Sequence, residues 1–249
     1  MRDVPADSWA ARQAQRHRLW RIFWRDIMLR YVGFGMLVNP HITGRQNIPA
    51  SGPTIIMMNH SFSADGFVAV GAVRPRYLVP MVKQENIDHP LIGLLMRTWG
   101  AYGVQRGTID RDALRKTLDL LTLGEIVLIV PEGTRGRQLG QARDGLAYIA
   151  LKTNAVIVPL ALSGGETWVR DLLIPWRRTP IRITFGPALR LKPPHTGQRP
   201  TRDELQAMTT ELMYQLAALL PVEMRGQYAD IDRQTTNYLE FCDAEKNKR

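Results

Sequence analysis

The sequence has few features that would fix the chain covalently or anchor it across a membrane. Its 249 residues include a single cysteine, Cys242, which excludes an intrachain disulfide. No stretch of about twenty residues is free of charge, so no transmembrane helix is predicted. The N-terminus is polar and the apolar stretch after it carries arginines, so we expect no cleavable signal peptide. The length suits one globular domain with short extensions.

Several binding signatures are also missing. No glycine-rich segment ends in Gly-Lys-Ser or Gly-Lys-Thr, which argues against a nucleotide phosphate loop. No second histidine stands at metal-ligand spacing from His60, so no metal site is expected. The chain is nevertheless basic, with a net charge of +10. Such a charge favours nucleic acid, an anionic membrane surface or anionic substrates. Without a helix-turn-helix, zinc-finger or RNA-binding signature, we expect no nucleic acid partner.

A basic amphipathic helix is predicted over residues 8–32. Bulky apolar side chains recur there at spacings of three and four and so share one face: Trp20, Phe23, Trp24, Ile27 and Tyr31. Arg18, Arg21 and Arg25 are predicted on the opposite side. Aromatic residues opposed to arginines are typical of a helix in the membrane interface. Residues 1–44 are therefore predicted to be a membrane-association segment, and the alternative is a helix packed on the core with its arginines in water.

Residues 45–228 are predicted to form the main domain. Short apolar runs predict strands at 54–59, 76–82, 100–105, 126–131, 155–162 and 181–185. Helical patterns predict helices at 66–73, 89–98, 110–122, 143–153 and 201–220, with Asp110 as an N-cap. The alternation predicts an α/β layered fold, in which helices flank a mixed, largely parallel sheet. A polar, poorly ordered tail is expected over residues 229–249.

Two predicted strand ends carry the residues with the most chemistry. The first strand leads into His60, and Asp65 follows five positions later. If the loop folds back, Asp65 can accept a hydrogen bond from one ring nitrogen of His60, which leaves the other as a base near neutral pH. The strand at 126–131 ends in Pro131-Glu132-Gly133-Thr134-Arg135. Ligands collect at such strand ends in α/β sheets.

These segments, in this order and at this separation, resemble the motifs of the glycerolipid acyltransferase family, which includes the glycerol-3-phosphate and lysophosphatidic acid acyltransferases. The first motif, Asn-His followed by four residues and Asp, resembles Asn59, His60 and Asp65. The remaining elements resemble, in chain order, Gly100–Arg106, Val130–Arg135, Arg143–Gly145 and Val158-Pro159. The resemblance extends over residues 45 to 190.

The resemblance implies direct transfer of an acyl group from a thioester to a hydroxyl, without a cofactor. His60 would act as general base, oriented by Asp65. The thiolate leaving group is weakly basic, with a pKa of about 8.5, so no serine or cysteine nucleophile is required. Two further arginines, Arg106 and Arg135, are implied as phosphate ligands, and Thr134 as a hydrogen-bond donor through its hydroxyl. Glu132 would accept a hydrogen bond from a glycerol hydroxyl or orient an arginine, and Gly133 would let the backbone approach the ligand closely. The remaining motif residues are Asn59, Pro131 and Pro159.

The implied acceptor is 1-acyl-sn-glycerol-3-phosphate and the implied product is phosphatidic acid. The donor would be acyl-CoA or acyl carrier protein. The resemblance also implies a peripheral, monotopic protein on the cytoplasmic face of the cell membrane, in contact with anionic lipid. Two alternatives stay open. One is acylation of another lipid hydroxyl, on glycerol-3-phosphate, a different lysophospholipid or a glycolipid, and the other is a lipid-binding membrane protein without turnover.

Overall fold

The computed structural model describes residues 4–105, 110–193 and 199–242. The helices are α1 (Trp9–Arg16), α2 (Arg18–Arg21), a π-helix (Ile22–Leu37), α3 (Asp65–Ala72), α4 (Gln84–Asp88), α5 (Pro90–Trp99), α6 (Arg111–Thr122), α7 (Gly145–Thr153), α8 (Trp168–Asp171) and α9 (Arg202–Ala217). The strands are β1 (Val38–Thr43), β2 (Thr54–Met58), β3 (Leu78–Lys83), β4 (Tyr102–Val104), β5 (Ile126–Ile129), β6 (Val156–Ser163), β7 (Thr179–Phe185), β8 (Leu189–Leu191) and β9 (Leu239–Phe241). Short 3₁₀ turns occupy Arg45–Asn47, Gly165–Thr167, Val222–Met224, Gly226–Tyr228 and Ile231–Arg233.

One mixed sheet organises the molecule, in the order β1-β7-β6-β2-β5-β3-β4. Strands β2 to β6 run parallel to their neighbours in this series, whereas β7 runs antiparallel to β6. The carboxyl ends of β2 to β6 therefore lie along one edge, which we call the carboxyl edge. The predicted α/β fold with a largely parallel sheet is confirmed.

The sheet is covered on both faces, which explains why its central strands are apolar apart from Thr54. All residues of β2 and β5 are buried. One face packs mainly against α6, α7 and α9, and the other packs against α3, α5 and the π-helix. Burying one Leu or Ile side chain stabilises the fold by about 1.5–3 kcal/mol, so these two layers supply most of the driving force for folding.

Polar caps set where several helices begin. Asp110 accepts hydrogen bonds from the main-chain nitrogens of Asp112 and Ala113, as its predicted N-cap role requires. Thr201 and Glu204 form a reciprocal capping box at the start of α9. These local signals explain why the predicted helix boundaries lie close to the observed ones.

Both ends of the described chain are more integrated with the sheet than expected. Strand β1 falls inside the predicted membrane segment 1–44, yet it pairs along its whole length with β7. At the other end, β9 pairs with β8 and Leu239 is buried, although a poorly ordered tail was expected. The buried carboxylate of Glu211 accepts hydrogen bonds from Thr235, Asn237 and Tyr238, which holds this polar segment against α9.

The N-terminal segment also differs from its prediction. Arg21 and Arg25 are buried instead of facing outward. Arg21 donates from Nε to the Trp99 carbonyl at 2.9 Å, and Arg25 donates from Nη1 to the Arg76 carbonyl at 2.9 Å. The guanidinium carbon of Arg25 also lies 3.9 Å from the centre of the Tyr77 ring. These partners replace the water that an outward-facing arginine would bind.

The apolar residues of this segment point mainly outward. Trp20, Phe23, Ile27 and Tyr31 are exposed, whereas Trp24 is half-buried and donates from Nε1 to Thr98. The amphipathic pattern is therefore present, but the side that faces the core contains arginines. Among the described residues, none of the helices combines the length and apolar character needed to cross a membrane.

Candidate active site

The loop after β2 brings His60 and Asp65 together. His60 Nδ1 lies 2.7 Å from Asp65 Oδ2. The same carboxylate oxygen accepts hydrogen bonds from the main-chain nitrogens of Ser61 at 3.0 Å and Phe62 at 3.2 Å. A carboxylate only accepts, so Nδ1–H is donated to Asp65, and in the neutral imidazole the lone pair is then on Nε2. The arrangement makes Nε2 available as a base.

Burial fixes this geometry. Asp65 begins α3 and its side chain is 1% exposed, whereas the His60 side chain is 20% exposed. The acid is therefore held inside the protein while the imidazole reaches the site. An ordered acid behind a partly accessible imidazole is the usual arrangement for general-base chemistry.

Asn59 fixes the start of the same loop. Its Nδ2 donates to the Leu162 carbonyl at 3.0 Å, and its Oδ1 accepts from the Leu162 nitrogen at 2.8 Å. These two bonds join the carboxyl ends of β2 and β6. Asn59 is buried and does not line the cavity described below, so its part in the site is to hold the backbone that carries His60.

The loop after β5 lies beside His60. The main-chain nitrogen of Gly136 donates to the His60 carbonyl at 2.8 Å. Gly133 has a φ of +68°, a conformation that favours glycine because other residues place a Cβ against the backbone there. The Arg143 nitrogen donates to the Pro131 carbonyl at 3.0 Å, which closes the loop at its far end.

Glu132 organises this loop from inside. Its side chain is buried, and its Oε2 accepts a hydrogen bond from the Gly140 nitrogen at 2.8 Å. Burial raises the pKa of Glu132, and the Gly140 hydrogen bond and the nearby His60 act in the opposite direction. Glu132 does not line the cavity, so the structure places this predicted acceptor within the loop framework.

A cavity of about 680 Å³ opens onto His60. Its polar lining comes largely from the carboxyl edge and the adjoining loops: His60, Asp65, Lys83, Gln105, Gly133, Arg135 and Arg143. Its apolar lining includes Trp24, Met28, Leu29 and Val32 from the N-terminal helices, Phe67 and Val70 from α3, and Ile92, Leu95, Met96 and Trp99 from α5. The site therefore joins a base, several cations and an apolar chamber.

The cations that line this chamber are available to bind an anion. Lys83, Arg135 and Arg143 have no ion-pair partner among the described parts of the chain. A guanidinium can hold a phosphate through two parallel hydrogen bonds, and a lysine adds a point charge. The cavity can thus hold an anionic head group and an apolar chain at the same time.

The predicted site residues are distributed unevenly. His60, Asp65, Pro131, Gly133 and Arg135 line the cavity. Thr134 is exposed beside it, and Pro159 is buried within β6, where its carbonyl accepts from Gly186. Arg106, the second predicted phosphate ligand, lies outside the described residues. No group of His, Cys, Asp or Glu among the described residues is arranged to hold a metal.

Two cations of the cavity were not among the predicted site residues. Lys83 ends β3, directly after the apolar run that predicts this strand, so the strand-end rule could have indicated it. The sequence indicates Arg143 only as part of a motif. The apolar wall from the N-terminal helices had no signal in the sequence, because side-chain spacing does not tell which face of a helix meets the core.

Comparison with known proteins gives concordant results. A 1-acyl-sn-glycerol-3-phosphate acyltransferase of Bacillus subtilis is 25% identical over 178 residues, covering 72% of this chain and 86% of the relative. The corresponding protein of Borreliella burgdorferi is 29% identical over 126 residues, covering 49% of this chain and 50% of the relative. The human 1-acyl-sn-glycerol-3-phosphate acyltransferase alpha is 24% identical, covering 76% of this chain and 66% of the relative.

The fold has a solved counterpart. The 1-acyl-sn-glycerophosphate (LPA) acyltransferase PlsC from Thermotoga maritima superposes with a TM-score of 0.50 at 22% identity, covering 70% of this chain and 68% of that one. At this identity the likeness concerns the fold. A family description named Acyltransferase matches residues 39–163, which include the His60 loop, the 131–135 loop and their supporting strands. The chain belongs to the acyltransferase family and is an O-acyltransferase.

Proposed function

We propose that this enzyme transfers a fatty acyl group from an acyl thioester to the free hydroxyl of 1-acyl-sn-glycerol-3-phosphate, forming phosphatidic acid. One observation carries the proposal: the His60–Asp65 pair opens onto a cavity that is apolar along one side and lined by Lys83, Arg135 and Arg143. A lysophosphatidic acid has the matching parts, which are a hydroxyl, a phosphate and an apolar chain. The names of the similar proteins support the same acceptor.

The proposed reaction is one direct displacement. His60 Nε2 accepts the proton of the acceptor hydroxyl while its oxygen attacks the thioester carbonyl carbon. The new C–O bond forms, the C–S bond breaks, and the departing thiolate takes the proton from the imidazolium. Asp65 keeps the ring oriented and stabilises the charge that develops on it. No covalent acyl-enzyme is needed.

Substrate placement follows from the lining of the cavity. Arg135 and Arg143 bind the acceptor phosphate, and Lys83 adds positive charge on the neighbouring strand end. Arg106 is a further phosphate ligand predicted from the sequence. Thr134 donates a hydrogen bond from its hydroxyl to the acceptor, and Gly133, which has no side chain, lets the backbone approach the acceptor closely. The apolar chamber holds an acyl chain, and acyl-CoA or acyl carrier protein delivers the donor.

We further propose that the enzyme works as a peripheral, monotopic protein on the cytoplasmic face of the cell membrane. The exposed Trp20, Phe23, Ile27 and Tyr31 form an apolar surface on the segment whose inner side lines the cavity. A lipid acceptor could then pass from the membrane to His60 along a short apolar route.

An acceptor panel tests the proposal. The purified full chain would be supplied with a labelled acyl group on CoA or on acyl carrier protein. Each reaction would contain one acceptor: 1-acyl-glycerol-3-phosphate, glycerol-3-phosphate, a zwitterionic lysophospholipid or a glycolipid. We expect labelled phosphatidic acid to be the main product. Preference for another acceptor would assign a different lipid hydroxyl, and no acceptor-dependent product with either acyl-CoA or acyl carrier protein would favour a lipid-binding protein without turnover.

A further inference from the structure

The most exposed apolar side chains near the site lie outside the N-terminal segment, on residues 168–176, which we call the apolar loop. Leu173 is 81% exposed and Trp176 is 95% exposed. Val169, Leu172 and Ile174 are also exposed. A soluble surface rarely gathers so many large apolar side chains within one short segment, and such a patch marks a contact with another apolar surface.

The base of this loop is built to hold the apolar residues outward. Asp171 is 1% exposed and accepts hydrogen bonds from Thr167 at 2.6 Å and Thr179 at 3.2 Å through Oδ2. Arg177 Nε lies 2.9 Å from Asp171 Oδ1. One buried carboxylate thus draws the two ends of the loop together. The apolar tip is left outside as a consequence of this closure.

Further contacts place the loop next to the site. Trp168 Nε1 donates to Ser63 Oγ at 3.1 Å, three residues beyond His60. At the other end, Arg178 donates from Nη2 to the Val38 carbonyl at 2.9 Å, just after the π-helix ends. The loop is therefore fixed between the His60 loop and the carboxyl end of the segment that presents Trp20, Phe23 and Tyr31.

We propose that the apolar loop is a second membrane-insertion element, in which Leu173 and Trp176 enter the lipid interface beside the active site. Charge supports a lipid surface as the partner, because Arg170 and Arg177 lie at the rim of the loop with side chains 64% and 48% exposed. The two arginines share one carboxylate partner, Asp171, so the rim keeps a positive charge. Aromatic and aliphatic residues bordered by arginines suit the interface of an anionic bilayer. The inference rests on the proposed function only in its choice of a lipid surface.

Two insertion elements on either side of the site have a mechanistic consequence. With only one inserted helix, the enzyme could rotate on the membrane about the axis of that helix. A second contact next to Ser63 fixes the mouth of the site toward the bilayer, so the acceptor need not leave the membrane fully to reach His60. The loop is then a positioning element for membrane-embedded acceptors and not for soluble ones.

Vesicle sedimentation with the full chain tests the inference. Leu173→Ser/Trp176→Ser removes the apolar tip and leaves Asp171 intact. Leu123→Ser/Phe241→Ser is the matched control, since Leu123 precedes β5 at the opposite end of the sheet and Phe241 lies on the peripheral strand β9. We expect the loop variant to bind phosphatidylglycerol vesicles about 10- to 100-fold more weakly and the control to bind like wild type.

Activity and oligomeric state are measured on the same samples. Acylation of a soluble short-chain acceptor, and the thermal midpoint, should be unchanged in the loop variant. Vesicle binding equal to wild type would overturn the inference, as would a loop variant that only converts a dimer into a monomer in solution. Vesicle binding through the loop without any acyl transfer would refute the proposed function and leave the insertion element standing.

Discussion

The His60 loop and the N-terminal helical segment both combine apolar residues with charged ones, yet they use charge in opposite ways. In the His60 loop, buried Asp65 holds an imidazole that reaches a cavity. In the N-terminal segment, Arg21 and Arg25 are buried against backbone carbonyls and the aromatic side chains face outward. The charged residue of the first region orients a side chain that lines the cavity. The charged residues of the second region hold the helices that form one wall of the cavity against the core.

The difference shows what a sequence pattern specifies. Hydrogen bonds between residues at most five positions apart fix the His60–Asp65 geometry, so the spacing indicates the pair once the loop folds back. Which face of an amphipathic helix packs against the core depends on the groups that the core presents to it. An arginine is accommodated inside when its donors meet carbonyls such as those of Trp99 and Arg76, because each of these bonds offsets lost hydration.

The largest expected effect lies in the His60 loop. Asp65→Asn removes the charge behind the imidazole and can leave the ring in the wrong tautomer, so we expect kcat to fall by about 10²–10⁴-fold. Asp112→Asn, at an exposed position on α6, is the control and should keep full activity. An Asp65→Asn enzyme with near wild-type kcat would reduce the pair to a structural contact.

If the buried arginines of the N-terminal segment hold it against the core, they should contribute to the free energy of unfolding. Arg25→Ala leaves the Arg76 carbonyl without its donor and removes the stack on Tyr77, so we expect a loss of about 2–3 kcal/mol in the free energy of unfolding. Arg18→Ala, at an exposed position, should change it by less than about 0.5 kcal/mol. Urea denaturation measures both.

The opposite outcome would restore the membrane role of these arginines. If Arg25→Ala lowers binding to anionic vesicles and leaves stability unchanged, the side chain contacts head groups and not the core.

A truncation tests whether the N-terminal segment closes the cavity. Removing residues 1–37 should expose the apolar wall formed by Val70 and Trp99, so the shortened chain should aggregate or lose its acyl-chain preference.

Arg135, in the exposed loop after β5, should discriminate between acceptors with and without a phosphate. Arg135→Ala removes one cation from the cavity lining, so we expect the KM for 1-acyl-glycerol-3-phosphate to rise by about 10- to 100-fold. An acceptor without phosphate should respond little. Steady-state kinetics with both acceptors gives the comparison, and equal losses would assign Arg135 to the structure of the loop.

The smallest expected effect concerns pH. Burial raises the pKa of Glu132, so the folded protein holds this proton more tightly than the unfolded chain does. The contribution to stability is therefore lost as pH rises from the unfolded value of 4.5 through the raised folded value. Glu132→Gln can still accept from Gly140 and does not ionise. Its Tm relative to wild type should increase between pH 4 and pH 7, by less than about 4 °C; a relative Tm that falls over this range would contradict the assignment.

Much of the fold was accessible from the sequence. The buried strands have dense Val and Ile runs, and the N-cap at Asp110 marks the start of a helix. Strands β1, β8 and β9 were not predicted: β1 lies at the edge of the sheet with its exposed side chains alternating along it, and β8 and β9 have only three residues each. The pairing of β1 and β9 depends on partners far along the chain, β7 and β8, and no local pattern reports such a partner.

The site was predictable to the same degree. Residues that act through local geometry, such as His60 and Asp65, follow from spacing. Lys83 joins them only because β3 lies next to β5 in the sheet, and the apolar chamber exists only because the π-helix and α5 close over it. Both depend on tertiary packing.

The proposed role of His60 is that of the base in the acyl transfer. Its most direct test is acceptor-dependent release of thiol from an acyl thioester by the purified full chain, compared between wild type and His60→Ala. We expect kcat to fall by about 10²–10⁴-fold in the variant, while Tm and vesicle binding stay at wild-type values. A His60→Ala enzyme that keeps more than about half of the wild-type kcat would contradict this role.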